Sequence, residues 1–113
     1  MTVIDELSAL SIYGHWMKKS SCFIVIFLDN SVSYNYIKDV QSCGAVMQNM
    51  MLAAHAMGVG SCWIGEILSK ENDVKSILEV QNDKLELMGI ITLGYQKSEP
   101  KNVGRKPIEY FLL

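Results

Sequence analysis

The sequence predicts a small domain that mixes helices with a short-stranded sheet, organised around one long helix. Three observations predict it. From Tyr36 onward the apolar residues Ile37, Val40, Met47, Met51 and Ala54 recur at helical spacing, with Gly44 and Gly58 on the same register. A second line, Cys43, Val46, Met50, Ala53 and Met57, lies beside the first. Two other stretches, Cys22 to Leu28 and Leu85 to Tyr95, are apolar on both faces and rich in β-branched residues, as strands covered on both sides are. The third observation is the glycine-punctuated turn Gly58-Val59-Gly60, which leads into a short strand from Ser61 to Ile64.

In chain order, Thr2 with Asp5 three residues on predicts a capped short helix that carries Leu7 and Leu10. Lys18-Lys19-Ser20-Ser21 is a polar break before the first strand. Asp29 to Ser33 is turn chemistry, and Ser33 is the expected N-cap of the long helix. That helix has two apolar stripes and only a narrow polar remainder. It is expected to be covered on most sides, by its own sheet and by a second chain. Ile67 to Val80 predicts one or two helical turns and then a helix with Val74, Ile77 and Leu78 on one face. In the final strand, Gly89 and Gly94 would admit another backbone or a ligand. A polar loop from Gln96 to Pro107 precedes an apolar tail, Ile108 to Leu113, that must dock on something. So small a sheet leaves unpaired edges, and the expectation is an obligate oligomer or a chain lacking part of its parent fold.

With 113 residues the chain suits one domain, and with half of them apolar it suits a packed core. A net charge of −2, with no basic block longer than two residues, gives nucleic acid and anionic membranes no electrostatic footprint. The longest apolar run, Cys22 to Leu28, is far short of a membrane span. The start carries acids where a secretion signal would carry lysines. Cys22, Cys43 and Cys62 lie in apolar runs without CxxC or Cys/His clustering, so neither disulfides nor a metal is expected. Three buried, reduced thiols fit a cytoplasmic location.

Gly58-Val59-Gly60-Ser61-Cys62-Trp63 fails as a dinucleotide loop. Trp63 stands where the third glycine belongs, and the loop follows a helix when it should follow a strand. Cys62 lacks a histidine placed as its base, and His15 and His55 read as surface or interface residues. The methionines at 47, 50, 51 and 57 read as gap-filling core. Two features survive. At the end of the short strand, Trp63-Ile64-Gly65-Glu66 could flank a flat ligand. In the last loop, Gly104-Arg105-Lys106-Pro107 could hold a phosphate, although a solvated basic pair is the simpler reading of the spacing.

Taken together, Gln48-Asn49, Ala53-Ala54-His55-Ala56, Gly58, Gly60, Trp63-Ile64-Gly65 and Arg105-Lys106-Pro107 resemble the carboxyl-terminal half of the FMN-dependent nitroreductase family, from about Cys22 to Phe111. The resemblance implies an α+β fold, a mostly antiparallel sheet flanked by helices, forming a single partial domain over residues 1–113. It implies a homodimer built on helix 36–57, with FMN at the interface and the tail reaching across to the partner. Trp63, Ile64, Gly65 and Glu66 would lie beside the isoalloxazine ring, with Arg105 and Lys106 at the phosphate. The implied activity is ping-pong hydride transfer from NAD(P)H through the flavin to a nitroaromatic or quinone acceptor, with no protein side chain acting as acid or base. The family's Arg-rich opening segment and its Pro-Ser…Asn…Gln-Pro-Trp segment are not in this sequence, so the expectation is a chain truncated at its N-terminus. The alternative is a member that has lost the flavin and persists as a non-catalytic dimeric module.

Overall fold

The computed structural model describes residues 1–113. Helix α1 (Val3–Ala9) and the single turn α2 (Gly14–Met17) lead into strand β1 (Cys22–Asp29). The long helix α3 (Tyr36–Ala56) follows, then β2 (Gly60–Ile64). A 3-10 turn (Glu66–Lys70), helix α4 (Glu71–Ile77) and strand β3 (Leu85–Gly94) complete the body, and a second 3-10 turn (Ile108–Phe111) lies in the tail. The fold is α+β.

The sheet is antiparallel throughout, in the order β1-β3-β2. Central β3 is the buried strand that its apolar run predicts. β1 departs from expectation: it is an edge strand whose side chains are mostly half-buried, with Leu28 alone enclosed. Its apolar faces exceed what this chain can cover. Cys22 and Cys62 are likewise exposed, because strands β1 and β2 are both outer strands, and Cys43 on α3 is half-buried.

One sheet face carries the core. Leu7, Met17, Ile64, Ile67, Val74, Leu87 and Ile90 form a continuous buried cluster joining α1, α2, α4 and the first 3-10 turn to the sheet. Leu87 and Ile90 are three residues apart, which a regular strand would place on opposite faces. A β-bulge resolves this. Ile26 pairs with Gly89 and Phe27 with Leu87, so Met88 is the extra residue. The Leu87 N–H donates to Glu71 Oε1 at 3.0 Å, and Lys75 pairs with the same carboxylate at 3.2 Å.

Helix α3 packs on the other face, burying Met47 and Ala54. Its N-cap is Asn35, whose side chain accepts from the Lys38 N–H at 3.1 Å. The expected cap, Ser33, instead donates to the Asp39 carboxylate. That carboxylate also accepts from the N–H groups of Tyr34 (3.1 Å) and Asn35 (3.3 Å). At the far end the N–H groups of Gly58 and Val59 return to the carbonyls of His55 and Ala54. This is a Schellman closure, and it puts Gly58 at φ 74°.

The rest of α3 is open. Leu52 is 57% exposed and Met57, just past the helix end, is 76% exposed. The predicted covering of the helix on most sides is not met within one chain. The tail also docks on nothing, since Tyr95 to Leu113 are exposed throughout and the hydrogen bonds of residues 101–113 are internal. The accessible surface is 8316 Å², whereas a folded monomer of this mass shows about 6,200 Å². The radius of gyration is 15.9 Å against about 13 Å. No helix is long and apolar enough to cross a membrane.

Candidate functional site

The four residues Trp63 to Glu66 form the end of β2 and the turn after it, and each faces a different way. Trp63 lies on the α3 side of the sheet. A Cβ on Gly44 would stand 3.6 Å from its ring, and one on Gly89 would stand 3.1 Å from its indole nitrogen. Those two glycines make the slot in which the indole sits, leaving it 40% exposed. Ile64 pairs with Ile90 and belongs to the opposite, core face. Only its backbone can therefore meet a ligand on the outer edge. Gly65 has open space where a Cβ would be. Glu66 turns its carboxylate to the α1–α2 loop: Oε1 accepts from Ser11 Oγ at 2.7 Å and from the Ile12 N–H at 2.9 Å.

Arg105 and Lys106 are exposed in the tail, and no hydrogen bond or ion pair joins them to the body. Lys106 Nζ lies 4.1 Å from the centre of the Tyr110 ring. Asn102 Oδ1 accepts from the Gly104 N–H at 2.8 Å, closing a turn with Gly104 at φ 75°. Within one copy, then, the two predicted halves of the site are not brought together.

A cleft of about 460 Å³ opens beside Trp63, walled by Val40, Met47, Leu68 and Met88 and rimmed by Glu71 and Glu86. Tyr36 donates its hydroxyl to Glu86 Oε1 at 2.5 Å, and Asn30 donates to Oε2 at 3.3 Å. The bond to Glu86 raises the pKa of Tyr36 above its ordinary value. Sequence reasoning singled out neither Glu86 nor Tyr36 as site residues. They are fifty positions apart, and no local pattern marks the pair.

The residues fit a flavin in part. A partly exposed indole and an open glycine at the end of an outer strand suit the flat face of a ring. The phosphate has no assembled cationic clamp within one copy.

The nitroreductase family model matches residues 5–95. The chain therefore belongs to the nitroreductase family. The match takes in α1 and α2, which the motifs did not reach, and ends before Arg105 and Lys106. A protein of Archaeoglobus fulgidus, provisionally named an NADH dehydrogenase/NAD(P)H nitroreductase, is 30% identical over 100 residues, covering 86% of this chain and 57% of that protein. A similarly named protein of Methanothermobacter thermautotrophicus is 27% identical over 87% of this chain and 52% of its own. The chain thus spans about half the length of these curated relatives. Among solved structures, a provisionally assigned nitroreductase of Desulfovibrio desulfuricans in complex with FMN superposes with a TM-score of 0.91 at 34% identity, over 98% of this chain and 64% of that one. The NADPH:FMN oxidoreductase of Vibrio harveyi shares the fold, with a TM-score of 0.84 at 20% identity over 98% of this chain and 53% of that one.

Proposed function

We propose that this chain dimerises through α3 and binds FMN at that interface, passing reducing equivalents from NAD(P)H to a nitroaromatic or quinone-type acceptor. The observation that carries this reading is the 34% identical, FMN-complexed relative matched over 98% of this chain. The open edge at Trp63 and Gly65 supports it. FMN, when bound, would supply the hydride chemistry. The chain's own residues bind and orient. Trp63 and the backbone of Ile64 and Gly65 flank the ring. Glu66 acts through its neighbours. Arg105 and Lys106 neutralise the phosphate from the tail. No side chain here need move a proton.

Support for the dimer comes from the surface. The excess over a self-sufficient monomer is about 2,000 Å² per copy, the scale of an obligate interface. The exposed apolar residues include Val46 and Leu52 of α3 and Ile108 and Phe111 of the tail. Three free cysteines, two of them exposed, fit a reducing, cytoplasmic setting.

The test is the visible spectrum of the purified protein. Flavin absorbance that bleaches on adding NADH supports the reading. A colourless dimer that takes up no added FMN refutes it and leaves a non-catalytic dimeric module.

A further inference from the structure

We infer that Glu66 is a positioning residue, whose carboxylate holds the Ser11–Tyr13 loop as a wall beside the open edge at Gly65. The inference rests on the flavin reading above for what the wall encloses. The clamp itself rests on geometry. Glu66 opens the 3-10 turn directly after Gly65 and is only partly exposed. Its Oε1 takes two donors from the far end of the chain, Ser11 Oγ at 2.7 Å and the Ile12 N–H at 2.9 Å. Ser11 Oγ in turn accepts from the Tyr13 N–H at 3.0 Å. One oxygen therefore fixes three consecutive residues of the α1–α2 loop. Both bonds have ordinary lengths, and losing their shared acceptor would leave both donors unpaired.

Backbone bonds shape the loop on either side, with the Ser11 N–H donating to the Ser8 carbonyl and the Gly14 N–H to the Ser11 carbonyl, both at 3.1 Å, but the Ile12 N–H has the Glu66 carboxylate alone. Ile12 is 74% exposed and Tyr13 partly exposed, its ring tilted against Trp16 at 6.1 Å. The Glu66 carboxylate, on the residue after Gly65, thus ties the backbone of Ile12 to the turn that follows β2. A small, flat, apolar acceptor is the substrate class that Ile12 and Tyr13 would help to retain. In this role the Glu66 side chain touches neither cofactor nor acceptor, and it acts through Ser11 and Ile12.

The experiment uses the full chain, with Glu66→Ala and the conservative Glu66→Gln. Amide hydrogen exchange at Ile12 and Tyr13 reads the clamp directly, with or without flavin. The expected result is exchange faster by about tenfold or more in Glu66→Ala, with partial rescue in Glu66→Gln, which keeps a neutral acceptor. With FMN-loaded protein and menadione as the uncharged, flat acceptor probe, KM should rise by a larger factor than kcat falls in Glu66→Ala. Unchanged exchange at Ile12 overturns the inference. So does faster exchange with an unchanged acceptor KM. If the wild-type protein takes up no FMN, the flavin reading fails and the wall with it, whereas the exchange rates still decide whether Glu66 is the clamp.

Discussion

Gly89→Ala tests the slot that seats Trp63. The added methyl would stand 3.1 Å from Met47 Sδ and 3.1 Å from Trp63 Nε1, with the Ile64 carbonyl oxygen at 3.5 Å. Comfortable non-bonded contact begins at about 3.5 Å, so both side chains must withdraw by a few tenths of an ångström. Trp63 can tilt toward water. Met47 cannot, because it is buried between α3 and the sheet. Crowding of this kind costs about 1–3 kcal/mol. Removing a glycine from the unfolded chain returns about 0.4–1 kcal/mol. The expected net is a loss of about 1 kcal/mol, and it should shrink when Met47→Ala is added, with a coupling of about 0.5–2 kcal/mol. The assay is urea unfolding followed by circular dichroism at one fixed protein concentration, since association contributes to stability. Tryptophan emission should shift in the folded Gly89→Ala protein. A variant as stable as wild type, or additive with Met47→Ala, would refute the slot.

Four other outcomes are expected. Replacing Leu52 and Val46 together with Glu should convert a dimer to monomer in sedimentation equilibrium; a wild-type monomer, or a variant that still dimerises, removes α3 as the seam. Arg105→Ala should weaken FMN binding by about 1–3 kcal/mol in fluorescence titration, the size of a charge-assisted contact; equal affinity takes Arg105 out of the site. Glu71→Ala leaves the bulge N–H of Leu87 without its acceptor and should cost about 1–3 kcal/mol of thermal stability, whereas Lys75→Ala, which removes only an ion pair, should cost under about 1 kcal/mol. For pH, the Ser33 hydroxyl, with the N–H groups of Asn35 and Tyr34, holds Asp39 below the ordinary carboxylate value of 3.8. A lowered folded pKa stabilises above that ordinary value, and the gain is lost as pH falls through the folded value. Wild type should therefore exceed Asp39→Asn in stability at about pH 6, with the difference shrinking only as pH falls below that ordinary value of 3.8.

Much of the fold was legible in the residues because its signals are local. Thr2 and Asp5 form the capping box that their spacing predicts. β1 and β3 fall within a residue of their apolar runs, and Gly58 ends α3. Gly94 does admit another backbone, with Ser20 Cα and Ser21 N each 3.6 Å from where its Cβ would be. The errors share a cause. Ser33 and Asn35 are equally good caps by type, and the choice turned on which could reach Lys38 while Asp39 held the other. Cys22 and Cys62 sit in apolar runs, but burial depends on strand order, which composition does not encode.

The sequence by itself determined the kinds of element, the broad apolar helix and, through its motifs, the family. Those depend on periodicity and on residues a few positions apart. Only the tertiary structure decided that Met88 bulges so that Leu87 and Ile90 share a face. It also decided that Gly44 and Gly89 make room for one indole, and that Glu66 spends its carboxylate on Ser11 and Ile12 more than fifty residues away. Strand register and side-chain partnership between distant segments are settled by packing the whole chain at once, so no window of the sequence contains them.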